Sequence, residues 1–325
     1  MPLVRIAGAG LAGSAAALSA LREGAGARMW DPSRIPKHKV CGEFLTPEAA
    51  PVLAGLGLWD AFQELRPARM QRLRLIFGTR AVESRLPEPS YGISRYRLDA
   101  LLRGEAEARG AQWIVERVPG LVDVVAHGRQ SAAEGRNRLF GFKAHFSGPV
   151  SDAVELYFFD GLYVGVNPVE NGYTNVCGLG SEERLRQLQF DYDALLTRNA
   201  ALADRLRPLT RTLEWLSTGP LVYHSQLANP PAGGLLAGDA LQFIDPFTGT
   251  GMTTALWSGA LAGRSVALGL PREAYYAEVA AGLDRQQRWC RRLRGALERG
   301  WPLHFAPYLP PQWLYGLTRP QIESR

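Results

Sequence analysis

The stretch that decides the fold is Leu3–Gly24, LVRIAGAGLAGSAAALSALREG, close to the start of the sequence. An apolar run of strand character leads into Gly8, Gly10 and Gly13, and a helix of small residues follows directly. Gly8 permits a tight turn, Gly10 lets the backbone approach a pyrophosphate, and Gly13 lets the helix pack closely on the strand. The amides at the helix N-terminus then favour a bound phosphate group.

The next segment strengthens this interpretation. Ala27–Asp31, ARMWD, has the character of a second strand, and Asp31 ends it 18 residues after Gly13. An acid at this position accepts hydrogen bonds from an adenosine ribose in dinucleotide-binding folds. The strand, the glycine turn, the helix and the downstream acid together predict a dinucleotide site. The motif alone assigns that site neither to NAD nor to FAD.

A second glycine turn lies far along the chain, in GDALQFIDPFTGTGM, residues 238–252. Its Gly238–Asp239 pair, Pro246 and the Gly249–Met252 turn resemble the second flavin fingerprint of the para-hydroxybenzoate-hydroxylase-like FAD enzymes. The resemblance implies that Asp239 bonds the ribityl chain and that helix amides lie near the N1 and C2-carbonyl edge of the flavin ring. That edge gains negative charge on reduction, so a positive helix end there stabilises the reduced form.

Further segments narrow the resemblance. PKHKVCGEFL, residues 36–45, is similar to the P-x4-C-G segment of geranylgeranyl-reductase-like flavoproteins, in which the cysteine lies close to the flavin. ISRYRLDALL, residues 93–102, is similar to their R-x-x-L-D helix start, which implies that Arg95 lies near the cofactor. LFGFKAHF and YVGVNPVENGYTNVCGL resemble sheet segments of their substrate domain. The cofactor residues predicted in this way are Gly8, Gly10, Ala12, Gly13, Asp31, Cys41, Gly42, Arg95, Gly128, Asp239, Pro246, Gly249, Thr250, Gly251 and Met252.

The chain departs from this group in its middle. In DVVAHGRQS, His127 precedes Gly128 where the group usually has an aspartate or a small residue. A solvated, a core and a chemical role for His127 stay open. Only a short connection separates QWIVERV from LVDVV, so the chain looks trimmed there. No second GxGxxG is present to build an NAD(P)H domain, so NAD(P)H would bind transiently or a protein donor would supply electrons.

These patterns predict an α/β fold. We expect a Rossmann-like, glutathione-reductase-type FAD-binding domain with an inserted β-sheet substrate domain and a helical C-terminus. Residues 138–181 are rich in aromatic and β-branched residues and predict a mostly antiparallel sheet. The predicted FAD-binding domain comprises residues 1–65, 93–130 and 232–290, the substrate domain comprises 66–92 and 131–231, and an apolar helical cover comprises 291–325.

Four side chains are candidates for chemistry, each with a structural alternative. Cys41 contacts the flavin or substrate, or helps to protonate the reduced substrate, unless it is simply a small buried hydrophobe. Glu43 is an acid/base group near the ring or a surface acid. Lys143 and His145 share one face of a strand and line the substrate cavity, unless that face is solvated. The sequence predicts no Ser/His/Asp triad and no metal site.

The aromatic middle sheet and the apolar C-terminal WPLHFAPYLPPQWLYGLTRP mostly predict packing, with an apolar substrate tunnel under a cover as a second interpretation. The expected function is an FAD-dependent oxidoreductase that transfers hydride to or from a carbon–carbon bond. Its substrate would be bulky and hydrophobic, of isoprenoid or polyketide type. One alternative is an FAD monooxygenase that hydroxylates an aromatic ring. Another is a catalytically degenerate protein that binds flavin or lipid.

Composition limits the partners. The chain is 46% hydrophobic and 21% charged, with a net charge of +6, as in ordinary globular proteins. No Lys/Arg block is flanked by aromatic residues, so we expect no nucleic acid. The basic stretch Arg285–Arg294, RQQRWCRRLR, predicts a solvated helix face, with a membrane-surface or partner contact as the alternative. The apolar C-terminus is also compatible with peripheral membrane contact.

The cysteines and the apolar runs give information on the cellular location of the protein. Cys41, Cys177 and Cys290 lack metal-like spacing, and an odd number without a signal peptide predicts a reducing cytoplasm. The apolar run Met252–Leu270 contains Arg264 and many small residues, so it does not predict a membrane span. The sequence carries no signal for the oligomeric state.

Overall fold

A computed structural model describes residues 1–33, 36–118, 120–129, 138–243, 246–298 and 315–322 of the chain. Its strands are β1 Leu3–Ala7, β2 Gly26–Trp30, β3 Phe44–Leu45, β4 Ala68–Phe77, β5 Arg80–Gly92, β6 Gln112–Ile114, β7 Val124–Val125, β8 Leu139–Ser147, β9 Ala153–Phe159, β10 Leu162–Pro168, β11 Thr174–Ser181, β12 Thr210–Leu221, β13 His224–Ser225, β14 Leu235–Leu236 and β15 Gln242–Phe243. Its helices are α1 Leu11–Arg22, α2 Ala49–Gly55, α3 Trp59–Glu64, α4 Arg95–Ala108, α5 Glu182–Gln187, α6 Tyr192–Thr197, α7 Ala200–Leu206, α8 Gly251–Ala267 and α9 Arg272–Glu298.

The smaller of the two main sheets is parallel and has the strand order β14-β7-β1-β2-β6. Its strands come from both ends of the chain, since β14 follows the whole of the larger sheet in sequence. The sequence prediction of an α/β fold with a Rossmann-like parallel sheet is therefore confirmed. The two glycine turns meet because β1 and β14 both pair with β7.

Close packing of α1 on α8 joins the first glycine turn to the helix that follows the second. A methyl group on Gly259 would lie 2.2 Å from the carbonyl oxygen of Ala12. One on Gly263 would lie 2.0 Å from the carbonyl oxygen of Ala16. These distances are far below a van der Waals contact, so only glycine lets the two helix backbones approach so closely. The small residues at helical spacing in α8 thus hold the two turns together.

The larger sheet has the order β12-β8-β11-β10-β9-β4-β5-β3 and is antiparallel except where β4 pairs with β9. One face of β8 presents Phe142, Ala144 and Phe146 to an apolar cluster that includes residues of α5, α6 and α7. Lys143 and His145 alternate with them and therefore face the other way. That second face is turned towards the segment that contains Glu43, which both side chains contact.

One short strand pairs with the larger sheet although its segment was predicted for the FAD-binding domain. This strand, β3, pairs with β5 at the edge of that sheet. Within the predicted apolar cover, residues 299–314 and 323–325 lie outside the described residues, as do residues 130–137 of the predicted FAD-binding and substrate domains. The described part of the chain contains no helix with both the length and the apolar character that a membrane span needs.

Candidate active site

A cavity of about 1670 Å³ lies between the two sheets and is lined by residues of both glycine turns. Pockets for a single drug-sized ligand are usually about 300–1,000 Å³, so this cavity can hold a large cofactor together with a second molecule. The predicted site residues that line it are Gly8, Gly10, Ala12, Asp31, Cys41, Gly42, Glu43, Arg95, Gly128, Asp239, Pro246, Gly249, Gly251 and Met252. Gly13, Thr250, Lys143 and His145 do not line it.

The first glycine turn has the geometry that the motif predicts. Gly8 adopts a φ of 104°, and a methyl group on Gly13 would lie 1.9 Å from the Gly8 carbonyl oxygen. Gly10 precedes α1 as its N-cap residue. Asp31 accepts hydrogen bonds from the backbone amides of Ala9, at 3.0 Å, and Ser33, at 2.9 Å. Its carboxylate therefore braces the turn, and each oxygen keeps a lone pair towards the cavity.

Two cations stand over this turn, and the sequence predicted only one of them. The Lys39 ammonium lies 3.7 Å, and the Arg95 guanidinium 3.9 Å, from the position of a Cβ on Gly10. Both bind Asp99, with Lys39 Nζ at 2.5 Å and Arg95 in a bidentate pair at 2.8 and 3.0 Å. Two positive charges share one carboxylate, which leaves a net positive charge beside the α1 N-terminus.

Electrostatics at this cluster favours an added anion. Burial lowers the pKa of Lys39, and the neighbouring charge of Arg95 lowers it further. Burial raises the pKa of Asp99, but the charges of Arg95 and Lys39 outweigh it and hold that pKa below its ordinary value. The cluster fits a pyrophosphate. The sequence analysis did not single out Lys39 or Asp99, although both lie in the quoted segments. The four-residue spacing of Arg95 and Asp99 on one helix is the signal that could have identified their pair.

The second glycine turn forms another part of the wall. Gly249 has a φ of 70°, and a methyl group on it would lie 2.6 Å from the Phe44 ring. The helix α8 begins at Gly251, so its first amides lie at the cavity. Thr250 turns away from the cavity, because its hydroxyl bonds Thr248 and the Gln286 side chain. Residues 244 and 245 of this stretch lie outside the described residues.

Asp239 faces the cavity and is paired there. The Nε atom of Arg129 lies 3.6 Å from Asp239 Oδ2, and its guanidinium also stacks over Phe243 at 5.0 Å. Arg129 directly follows Gly128, which has a φ of 84°. His127 also lines the cavity, with its Nδ1 atom 3.1 Å from the Gly128 carbonyl oxygen. Arg129 is a second cation that the sequence analysis did not single out.

The Cys41–Gly42 turn is held from the larger sheet. The Asn175 side-chain amide donates to the carbonyl oxygens of Cys41, at 3.2 Å, and Gly42, at 2.9 Å. Nothing lies within 4 Å of a Cβ on Gly42, so this residue borders open space. The backbone N–H of Glu43 donates to Cys41 Sγ at 3.4 Å. This contact fixes the thiol at the cavity wall, where Cys41 was predicted.

Glu43 is the centre of a buried ionic network. Its side chain is completely buried, and its backbone has a φ of 52°, a left-handed conformation that costs energy for any residue with a side chain. One carboxylate oxygen accepts from Lys143 Nζ and from the Arg95 backbone N–H at 2.7 Å. The other lies 2.6 Å from His145 Nε2. Lys143 and His145 therefore contact Glu43, which lines the cavity, instead of lining it themselves.

The network sets the charge of Glu43. Burial raises the pKa of its carboxyl, but the hydrogen bond from His145 and the charge of Lys143 outweigh burial, and the pKa lies below its ordinary value. Glu43 is therefore ionised. His38 packs edge-on against His145, with 5.2 Å between ring centroids, and burial together with the Lys143 charge lowers its pKa.

Three of these side chains have the ligand atoms of a metal site. The atoms of His38, Glu43 and His145 lie within 4.8 Å of one another. The ammonium of Lys143 already neutralises the only carboxylate of this group and would repel a second cation at the same place. We therefore interpret the cluster as an ion-pair network.

The opposite end of the cavity is apolar. Three directly paired positions on β4 and β9 face it: Leu73 with Val154, Leu75 with Leu156, and Phe77 with Phe158. The rings of the last pair stack at 5.0 Å. Tyr163, Phe247 and Tyr315 also line the cavity. The sheet face thus changes from ionic and amide groups beneath the Cys41–Gly42 turn to a continuous hydrocarbon and aromatic surface on β4 and β9.

Comparisons with known proteins agree with this geometry. No protein-family model matches the chain. The menaquinone reductase of Mycobacterium tuberculosis is 30% identical over 321 residues, which covers 80% of this chain and 75% of that protein. The menaquinone reductase of Mycolicibacterium smegmatis is 35% identical over 117 residues, 34% of this chain and 28% of that protein.

Solved structures share the fold at lower identity. The flavin-dependent brominase Bmp2 aligns with a TM-score of 0.78 at 16% identity, covering 97% of this chain and 92% of that one. A flavoprotein/dehydrogenase from Cytophaga hutchinsonii aligns with a TM-score of 0.77 at 18% identity, covering 98% and 91%. The chain belongs to the family of the mycobacterial menaquinone reductases, among the FAD-dependent oxidoreductases that resemble para-hydroxybenzoate hydroxylase and geranylgeranyl reductase.

Proposed function

We propose that this FAD-dependent oxidoreductase reduces a carbon–carbon double bond of a bulky isoprenoid substrate, with a prenylated quinone as the first candidate. The observation that carries the proposal is the composition of one cavity. Residues of both glycine turns line it on one side, and the apolar face of β4 and β9 lines it on the other. The name of the Mycobacterium tuberculosis relative, menaquinone reductase, supports a substrate of this class.

The residues at the two turns fit the two halves of FAD. In our proposal Gly8, Gly10 and the α1 amides hold the pyrophosphate, with Lys39 and Arg95 as its counter-charges. Asp31 binds the adenosine ribose. Asp239 binds the ribityl chain. Its present ion pair with Arg129 is given up in that state. Gly249, Gly251 and Met252 present the α8 amides to the flavin ring, and Pro246 and Gly128 complete the wall.

When bound, the flavin supplies a hydride to one carbon of the double bond, and a proton must reach the other carbon. The protein's part is to position the substrate, to exclude water and to deliver that proton. The apolar wall of β4 and β9 holds the hydrocarbon chain and keeps water away from the reacting bond. The Cys41 thiol lies at the polar end of the cavity and is the proposed proton donor there.

Glu43 acts in this proposal through the Cys41–Gly42 turn. Its carboxylate is committed to Lys143, to His145 and to the Arg95 amide, and those contacts fix the left-handed backbone that follows Gly42. Its backbone N–H holds the thiol sulfur. Glu43, Lys143 and His145 are thus proposed as positioning residues. This assignment differs from the expectation that Glu43 exchanges protons with the ring and that Lys143 and His145 touch the substrate.

The experiment that tests the function starts from the visible spectrum of the purified protein. We expect a bound flavin that dithionite bleaches, and we expect NADH, NADPH or a protein donor to bleach it as well. The reduced protein is then mixed anaerobically with menaquinone, and the product is examined by mass spectrometry. After any quinol has been reoxidised in air, the expected product still carries two more hydrogen atoms than the substrate, and they lie in its isoprenoid chain.

The alternatives give different results in the same experiment. Consumption of oxygen coupled to a product that gains an oxygen atom would favour a monooxygenase. Stoichiometric FAD that no biological donor reduces would favour a degenerate flavin- or lipid-binding protein. A colourless protein that takes up no FAD would contradict the reductase and the monooxygenase together.

A further inference from the structure

The C-terminal third of α9 carries a strongly basic face. Arg285, Arg288, Arg291 and Arg292 are all exposed there. Their spacing of three, three and one residues places them on one side of the helix, since successive residues turn by about 100°. The opposite side is buried through residues such as Leu283, Gln286 and Cys290. We call these four arginines the arginine face.

Within the described part of the chain, no acidic side chain pairs with the arginine face. Asp284 is the nearest acid in sequence, and Arg288 contacts its backbone carbonyl oxygen at 3.4 Å. Some arginines elsewhere on the surface do form ion pairs, for example Arg186 with Glu182 and Arg198 with Asp160. Four adjacent arginines without an ion pair to a described carboxylate form an electrostatic site for an anionic surface.

An aromatic side chain belongs to the same surface. Trp289 lies beside the arginine face and is partly exposed. The Arg292 guanidinium stacks over its ring at 5.1 Å. Tryptophan is enriched where proteins meet the boundary between lipid headgroups and hydrocarbon, because its ring is apolar and its N–H is polar. The outer side of α9 thus combines cationic groups, which bind anionic headgroups, with a tryptophan, which favours the headgroup region.

The arginine face lies on the outer side of a helix whose inner side reaches the cavity. Leu293, on the inner side of the same helix turn, lines the large cavity. Arg294 stacks over Tyr223 at 4.3 Å, and Tyr223 stacks on Phe243, which also lines the cavity. The outer side of α9 therefore carries positive charge at the place where its inner side reaches the cavity.

We propose that the arginine face binds the surface of a membrane that contains anionic phospholipid. Phosphate headgroups complement the row of guanidinium groups, and each arginine near such a surface contributes about a five-fold gain in partitioning. Binding in this orientation places the cavity wall at Leu293 against the lipid boundary. The inference concerns the outside of α9 and stands apart from the reaction inside the cavity.

Sedimentation of the full-length protein with extruded vesicles tests the proposal. Vesicles of phosphatidylcholine with one third phosphatidylglycerol are compared with pure phosphatidylcholine, at low salt and at about 0.5 M salt, where charges are screened. We expect binding to the anionic vesicles alone, and loss of that binding at high salt. The test variant replaces the arginine face by glutamine, R285Q/R288Q/R291Q/R292Q, and should bind several hundred-fold more weakly.

Two matched variants separate the arginine face from net charge and from folding. The first, R66Q/R69Q/R184Q/R207Q, removes the same charge from scattered exposed arginines and should sediment like the wild type. The second replaces the arginine face by lysine and should keep most of the binding, since it keeps the charge. No sedimentation of the wild type with anionic vesicles would overturn the proposal, and so would equal losses in the two glutamine variants. Flavin content, measured separately, reports on the cavity and not on this surface.

Discussion

The carboxylate of Glu43 and the ammonium of Lys143 form an ion pair in which both side chains are completely buried. The pair joins the turn after Gly42 to the centre of β8 in the larger sheet. Breaking a buried pair from one side leaves an uncompensated charge in the interior. This pair is therefore a structural weak point as well as a part of the proposed site.

We expect Lys143→Met to lower the free energy of unfolding by about 3–5 kcal/mol, because Glu43 would stay buried without its main counter-charge. Urea denaturation followed by tryptophan fluorescence measures the change. The exposed pair of Arg186 and Glu182 provides the control, and Arg186→Met should have little effect. The double variant Glu43→Gln/Lys143→Met should recover part of the loss. An equal loss in the single and double variants would contradict the pairing.

The Glu43 carboxylate should also affect how the free energy of unfolding changes at acidic pH. The pKa of Glu43 is lowered on folding from an ordinary value of 4.5, so the folded protein binds fewer protons than the unfolded chain below that pH. Its contribution is complete above about pH 4.5 and disappears as the pH falls through the folded pKa. Glu43→Gln should therefore show a shallower fall in unfolding free energy between pH 5 and pH 3. Parallel curves for variant and wild type would refute this role.

Lys39 should matter for FAD binding although the sequence analysis passed over it. Lys39→Gln removes one of the two cations over Gly10, and we expect the Kd for FAD to rise about ten- to hundred-fold. The measurement is a fluorescence titration of flavin-free protein at two salt concentrations. Arg184→Gln is the control, since Arg184 is exposed on α5 and does not line the cavity. Equal affinity of the Lys39 and Arg184 variants for FAD would contradict a role of Lys39 in binding the cofactor.

Substitution of Asp239 should affect retention of the cofactor, whereas substitution of Cys41 should affect catalysis. We expect Asp239→Ala to weaken FAD retention about ten- to hundred-fold, because it removes a charged acceptor for the ribityl hydroxyls. Cys41→Ala should retain FAD nearly as the wild type does and should slow the formation of product instead. The flavin content after gel filtration decides the first point, and single-turnover product formation decides the second. Full flavin content in the Asp239 variant would contradict the assignment.

The crossing of α1 and α8 should tolerate no methyl group. In Gly263→Ala the new Cβ would lie 2.0 Å from the Ala16 carbonyl oxygen, and we expect a loss of about 1–3 kcal/mol in unfolding free energy. Gly104→Ala is the control, since Gly104 is exposed within α4 and has nothing within 4 Å of its Cβ position. That change should stabilise the protein by about 0.5–1 kcal/mol. Thermal unfolding of both variants gives the comparison.

The sequence by itself determined the parts that depend on local backbone chemistry. Gly8 and Gly13 act through positive φ and close approach within one strand–turn–helix unit, so the motif predicts the geometry directly. The alternation of residues on β8 placed Lys143 and His145 on one face, and that prediction holds.

Only the tertiary structure decided which distant groups meet at these faces. Glu43 contacts Lys143 across 100 residues of sequence, and Lys39 contacts Asp99 across 60. Strand register and the approach of the two sheets set such contacts, and neither is encoded in a motif or a periodicity. A charged side chain that the sequence suggests for chemistry can therefore be held in an ion pair by a distant residue in the fold. The interior makes that pairing obligatory, since an unpaired charge buried away from water is too unstable to persist.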